Sequence, residues 1–286
     1  MPALFGFAPL VAGAPAPPMS AALPCAFDAW IADLEARHLR DMTTAEVARA
    51  LRALSSTYVE RRARLSGRGA FDTAGKRAAY ALYYAPRRFL MTAHVVRHLA
   101  PPAGPLRLID LGCGTGSAGA AWACVAGAGS SLTGLDTHPW AIDEARAAYR
   151  TLRLDGSARR GSAIDASWRS RERPRGPARI PAALILSYVA NELADEARAA
   201  LLPQLLAEAA AGAQVLVMEP ISRKTSPWWP VWTRAVVAAG GRQDEWRLRI
   251  APPPITAALG RAAGLDAHEA TGRTLWLGPT APSQTS

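Results

Sequence analysis

Lysine is nearly missing from this chain. Of its 33 Lys and Arg residues, only Lys76 and Lys224 are lysines, so its positive charge is carried by guanidinium groups. Cysteine is scarce too, at positions 25, 113 and 124. That spacing supplies neither a metal-ligand pair nor an even disulfide framework. No metal site and no secreted disulfide scaffold are expected, and a reducing cytoplasm fits. Cys113 and Cys124 read as small packing residues. Residues 1–24 lack Lys and Arg altogether and carry prolines at 2, 9, 15, 17, 18 and 24. A secretory leader needs a basic start and an unbroken apolar stretch. A disordered or loosely packed tail is expected over 1–24 instead. No other window is long and apolar enough to cross a membrane.

What is present is a chain of 286 residues, half of them hydrophobic. That length builds one large domain, or a core domain with a helical appendage. The net charge is +10. Arginine forks suit phosphates, so the excess permits a nucleic-acid partner. An Ala/Arg/Pro-rich composition produces the same excess without one.

The most informative stretch is Leu106-Arg-Leu-Ile-Asp-Leu-Gly-Cys-Gly-Thr-Gly116. Leu106 to Leu111 reads as a short buried strand. Glycines at 112, 114 and 116 follow, and Ser117 to Val125 reads as a helix of small residues. Strand, glycine turn and helix start let a ligand reach bare backbone near free N–H groups. Two frames compete. Gly114-Thr-Gly-Ser-Ala-Gly119 matches the dinucleotide pattern G-x-G-x-x-G, but the strand does not run straight into its first glycine. The other frame, Asp110-x-Gly112-x-Gly114-x-Gly116, resembles motif I of class I S-adenosylmethionine (SAM) methyltransferases. A carboxylate here is tolerable beside a sulfonium and an amino group, whereas it would repel a pyrophosphate.

Ahead of this turn the pattern is helical. Phe27, Trp30, Ile31 and Leu34 share one face of a helix over 27–40. Thr43-Thr-Ala-Glu46 forms a capping box for the next helix. A third helix covers about 73–99, and Pro86 should kink or split it. It carries Tyr80, Tyr83, Tyr84, Arg87 and Arg88, which either contact a cofactor and substrate or pack against the core. Pro101 to Pro105 is a hinge. Residues 25–104 are thus expected to form a helical N-terminal cap.

Beyond the hinge, strands and helices alternate as in a doubly wound parallel sheet. A second strand, Ser131–Leu135, ends at Asp136, 20 residues past Gly116. That is where such folds place an acid on the ribose hydroxyls. Asp136 is also placed to cap the helix over 139–152. A weak third strand over 155–164 ends near Asp165, and an arginine-bearing loop follows over 169–179. Ala182–Ser187 is the fourth strand, followed by Tyr188-Val-Ala-Asn-Glu-Leu193 and a helix over 195–211. Strand ends face the crevice at the switch point, so Ser187, Tyr188, Asn191 and Glu192 are candidates for orienting a substrate. Gln214–Glu219 is the fifth strand. Residues 222–250 read as a Trp/Arg-rich insert, with Trp228 and Trp229 placed either to stack a substrate or to glue a lid. A helix over 254–264 precedes a closing strand pair, 265–270 and 273–278.

Three stretches together carry a closer likeness: Leu108–Gly116, Ser187-Tyr-Val-Ala-Asn-Glu-Leu193 and Val217-Met-Glu-Pro220. With the Tyr-rich helix Arg77–Leu90, they resemble the bacterial relatives of the mitochondrial small-ribosomal-subunit methyltransferase-like family. Ribosome-associated members carry a cysteine cluster after the Glu-Pro motif; here tryptophans occupy that region. The resemblance implies a Rossmann-like class I methyltransferase fold, α/β, with a seven-stranded mostly parallel sheet in a SAM-binding domain over 105–278. It implies SAM as cofactor. Asp110, Gly112, Gly114 and Gly116 would hold its methionine end, Asp136 the ribose and Asp165 the adenine, with Tyr84, Arg87, Cys113, Thr137, Ala166 and Ser187 as further cofactor contacts. Tyr188 and Glu192 are the candidate catalytic pair; Tyr83, Asn191, Trp228 and Trp229 are the candidate substrate contacts. The acceptor is RNA or a small aromatic or heterocyclic molecule. A third reading is a SAM-binding ribosome assembly factor that transfers nothing.

Overall fold

The computed structural model describes residues 26–60, 71–99, 104–165, 168, 181–222 and 226–279. The expected tail over 1–24, the arginine loop over 169–179 and Ala166 lie outside these residues. Four helical pieces come first: α1 (Phe27–His38), α2 (Thr44–Glu60), α3 (Ala74–Ala79) and α4 (Ala85–Leu99). The capping box at the start of α2 forms. Thr43 N–H donates to Glu46 Oε2 at 2.8 Å, and Glu46 N–H donates back to Thr43 Oγ1 at 3.3 Å.

The break at Pro86 takes a specific form. Between α3 and α4 the chain makes a π-helical turn, Tyr80–Tyr84, and Ala85 N–H bonds to Tyr80 O. Proline lacks an N–H and crowds the carbonyl four residues back. That carbonyl belongs to Leu82, and it accepts the buried Thr256 hydroxyl at 2.7 Å instead. The helix therefore continues past Pro86 with its hydrogen bonds made.

The remaining elements are β1 (Arg107–Leu111), α5 (Ser117–Ala126), β2 (Ser131–Asp136), α6 (Pro139–Thr151), β3 (Asp155–Arg160), β4 (Ala182–Ser187), α7 (Asp195–Ala210), β5 (Gln214–Glu219), α8 (Trp229–Ala238), β6 (Arg242–Arg249), α9 (Pro254–Ala263) and β7 (Glu269–Leu277). The seven strands form one sheet in the order β3-β2-β1-β4-β5-β7-β6. The first five are parallel, and β7 runs antiparallel to both neighbours. This is the class I methyltransferase form of the Rossmann-like sheet, with helices preceding it. Strand order reverses between β1 and β4, so the crevice opens at their carboxyl ends.

Alternation along each central strand divides the core in two. Ile185, Leu216 and Met218 face α1–α6 and α9, whereas Leu184, Leu186, Val215 and Val217 face α7 and α8. The supposed insert over 222–250 is instead α8 and the edge strand β6. The expected closing pair is one continuous strand, β7, whose partner is β6. β3 ends at Arg160, earlier than its sequence indicates.

Candidate functional site

The glycine turn after β1 folds back on β2. Gly112 and Cys113 N–H both donate to Leu135 O, at 2.8 and 2.9 Å, and Gly116 N–H donates to Cys113 O at 2.8 Å. Gly114 N–H donates to Asp136 Oδ2 at 2.8 Å, while Asp136 Oδ1 accepts from His138 N–H at 2.8 Å. Gly119 N–H, in the first turn of α5, donates to Asp110 Oδ2 at 2.9 Å. The amides of Gly112, Cys113, Gly114 and Gly116 are thus spent within the protein. The Asp136 carboxylate faces the cavity side of the turn, so the local field there attracts cations.

Two of the glycines are required for space as well as backbone. At Gly112, φ is +73°, and a Cβ would come within 2.5 Å of a Val189 methyl. At Gly116, φ is +77°, and a Cβ would meet the Tyr149 ring at 2.6 Å.

A cavity of ≈ 190 Å³ lies over this turn at the carboxyl ends of β1, β2 and β4. Its floor includes Gly112, Gly114, Asp136, Thr137 and Ser187; its roof is Phe71, Tyr80 and Arg88 from the preceding helices. Tyr188, Val189 and Glu192 form one wall, and Gly161, Ser162 and Ala163 another. Ser187 Oγ is buried and has no hydrogen-bond partner among the described residues. Phe71 packs edge-on against Tyr80 at 4.9 Å and His138 at 5.0 Å. Burial pushes the Tyr80 phenol up to about 12, so it stays protonated.

Tyr188 has φ +62°, a left-handed backbone unusual for an aromatic residue. Its N–H is held by Met218 O at 2.8 Å. The segment after it is anchored by Asn191, whose N–H donates to Glu219 Oε1 at 3.3 Å and whose Oδ1 accepts from Trp228 Nε1 at 2.8 Å. Burial raises the Glu219 carboxyl to about 8, aided by the nearby Glu192 charge and opposed by Asn191 N–H.

A second cavity, ≈ 330 Å³, borders the first and shares Tyr188 and Arg88 with it. It lies between the first turns of α4 and the chain beyond β5, Pro220–Ser222, with the start of β7 opposite.

The structure gathers Gly112, Gly114, Asp136, Thr137, Ser187, Tyr188 and Glu192 around the first cavity. It removes several other candidates from it. Asp110 is fully buried beneath α5, and burial raises its carboxyl to about 7. Cys113 packs toward Gly134 and Tyr149, and Gly116 is buried against Tyr149. Asp165 is exposed, five residues past the end of β3. Tyr84 and Arg87 line the second cavity. Arg87 binds the carbonyls of Asp266, Ala267 and Glu269, with Tyr83 buried beneath its guanidinium. Trp228 and Trp229 lie on the α7–α8 face, where Arg273 stacks on Trp229 at 4.2 Å. Asn191 supports the wall from behind.

Sequence reasoning missed Phe71, His138 and Ser162, which have no local motif, and passed over Val189 inside the Ser187–Leu193 run. It also left Tyr80 and Arg88 undecided between contact with a ligand and packing. Their neighbours in the Tyr/Arg cluster were the available signal, but the π turn decides which of them faces the cavity.

No family model matches the chain, and no curated protein matches it. Solved structures do align with it. The CurJ carbon methyltransferase is 14% identical over 87% of this chain and 70% of its own, with a TM-score of 0.48. The mitomycin 7-O-methyltransferase MmcR is 14% identical over 81% and 68%, with a TM-score of 0.46. Precorrin 8W decarboxylase from Methanobacterium thermoautotrophicum is 16% identical over 66% and 89%, with a TM-score of 0.43. These are likenesses of fold, spread over different reactions. Among the described residues, no helix is long and apolar enough to cross a membrane.

Proposed function

We propose that this chain is a SAM-dependent methyltransferase. One observation carries the reading: the glycine turn bonds four of its amides inside the protein and points a carboxylate, Asp136, into a cavity at the switch point. That arrangement repels a pyrophosphate and suits a cationic nucleoside. The residues fit the cofactor. Gly112 and Gly114 present bare backbone, Asp136 keeps lone pairs for two ribose hydroxyls, and Ser187 offers an unused hydroxyl. When bound, SAM supplies an electrophilic methyl group on a sulfonium.

The chain's own contribution is placement. Holding donor and acceptor in line is worth about 7–11 kcal/mol in favourable cases. Phe71 and Tyr80 roof the site and exclude water, and Tyr188 stands at its boundary. Glu192 is the carboxylate on that wall that would take a proton from a protonated acceptor.

The first test is equilibrium binding. Asp136→Ala should weaken binding of S-adenosylhomocysteine at least tenfold while the fold persists by circular dichroism. Unchanged affinity by calorimetry would refute the ribose contact. The second test incubates the protein with radiolabelled SAM plus RNA, protein and metabolite fractions. Label in one fraction assigns the acceptor class. Label in none, with the cofactor still bound, favours a non-catalytic assembly factor.

A further inference from the structure

The wall that carries Tyr188, Val189 and Glu192 has little regular structure of its own. Tyr188 is left-handed, Ala190–Glu192 make a single 3-10 turn, and Leu193 is extended. Such a stretch keeps its shape through what packs beneath it. β5 secures the first half: Met218 O accepts Tyr188 N–H, and Glu219 Oε1 accepts Asn191 N–H. The second half rests on a residue that lines neither cavity, Arg198 in the first turn of α7.

Arg198 sits where a helix least favours it. A cation in the first turn opposes the helix dipole. This one is also 8% exposed, so the desolvation of its charge must be offset. Its acid partner does little of that. Asp195 Oδ1 accepts Nη1 at 2.8 Å, but the Asp195 side chain is 90% exposed. The rest of the guanidinium is turned to the wall. Nε donates to Ala190 O at 2.8 Å and Nη2 to Leu193 O at 2.5 Å, so the planar fork spans the turn that ends in Glu192. The guanidinium carbon lies 5.3 Å from the Trp228 ring centroid, and Trp228 Nε1 in turn donates to Asn191 Oδ1 at 2.8 Å. Among the described residues, every side-chain bond of Arg198 beyond Asp195 goes to residues 190–193.

We propose that Arg198 is a positioning residue: its fork, set beneath the Ala190–Leu193 turn, holds Val189 against Gly112 and keeps Tyr188 and Glu192 on the cofactor cavity. The proposal rests on the cofactor reading of that cavity. The contact it transmits is tight. A Val189 methyl stands 2.5 Å from where a Gly112 Cβ would be, so this stretch abuts the cavity floor directly. Releasing the fork lets the turn slide off Gly112, and the cavity loses its wall while the sheet beneath is untouched. Arginine is needed here for its shape. An ammonium keeps the charge but lacks the fork.

The test is calorimetric titration of the full chain with S-adenosylhomocysteine, paired with peptide-resolved hydrogen exchange. Arg198→Met and Arg198→Lys should each weaken binding at least fivefold. Amide exchange over 188–193 should quicken at least tenfold in both, with β1 and β2 unchanged. Ala199→Gly, at the next and exposed position of α7, loosens the helix without touching the wall and should leave affinity within twofold. Should Arg198→Met fail to fold, Arg198→Lys decides by the same limits. Three results overturn the proposal and leave the cofactor reading standing: affinity within twofold of wild type in Arg198→Lys, exchange that quickens only along 195–210, or a loss in Ala199→Gly equal to that in Arg198→Lys. A wild-type chain that does not bind S-adenosylhomocysteine overturns both.

Discussion

The N-terminal helices roof the cofactor cavity, and one buried ion cluster ties them to the sheet domain. Glu144 on α6 is 4% exposed. Its carboxylate accepts Arg37 Nη1 at 2.8 Å and Nη2 at 2.7 Å, and lies 3.2 Å from His38 Nε2, both residues being at the end of α1. Burial alone would raise this carboxyl. His38 and Arg37 outweigh it and hold the value at about 2, against 4.5 when unperturbed. That difference of two to three, on the order of 1.4 kcal/mol each, gives roughly 3 kcal/mol of stability. Because the folded value is depressed, this stability is present above pH 4.5 and is lost as pH falls toward 2. At pH 3 the same relation leaves less than half of it. Glu144→Gln should therefore lower the unfolding free energy by about 3 kcal/mol at pH 7 and by less than half of that at pH 3. Urea unfolding followed by tryptophan fluorescence measures both. An equal loss at the two pH values would refute the argument. So would an Arg37→Gln/Glu144→Gln double variant whose loss is the sum of the single losses, since removing both partners leaves no uncompensated charge.

Gly116→Ala should destabilise the fold by about 2–4 kcal/mol, from a positive φ and a Cβ driven into Tyr149; an unchanged melting temperature would show that the turn relaxes freely. Glu219 holds its proton in the fold up to about pH 8 but would release it near 4.5 when unfolded. Stability should thus fall as pH rises across that window, and Glu219→Gln should flatten the fall when melting is followed from pH 5 to 9; a slope equal to the wild type removes Glu219 as its source. Tyr188→Gly should raise stability by about 1 kcal/mol through relief of the left-handed backbone, yet lower methyl transfer more than tenfold. Tyr188→Phe should retain transfer, because the ring keeps its place on the wall and the hydroxyl lies against the Met91 sulfur at 3.6 Å; loss of turnover in that variant would assign the hydroxyl a chemical role.

The central sheet was legible because buried parallel strands are mostly apolar. Leu106 to Leu111, Ala182–Ser187 and Gln214–Glu219 read as strands on that basis, and Asp136 fell at the expected distance. The edges were not legible. β6 is Arg-Gln-Asp-Glu-Trp-Arg-Leu-Arg, a charged strand whose register is set by β7 and whose outer edge charges discourage pairing. β3 is similarly polar, so its end was misplaced and Asp165 went with it. At the site, the motif located the glycine turn and the Tyr188 segment. It could not locate Arg87, whose partners at 266–269 lie some 180 residues away. Nor could it separate Asp110 from the cavity, because that depends on α5 lying directly over it.

The π turn before Pro86 sets the rotational phase of everything on α4. One extra residue in a helical turn advances the following side chains by about 100°. Deleting one residue from Tyr80–Tyr84 would restore regular winding and swing Arg88 away from Tyr188, separating the two chambers' shared gatepost. A one-residue insertion or deletion in this short stretch would therefore re-aim the wall between the two cavities without altering the sheet.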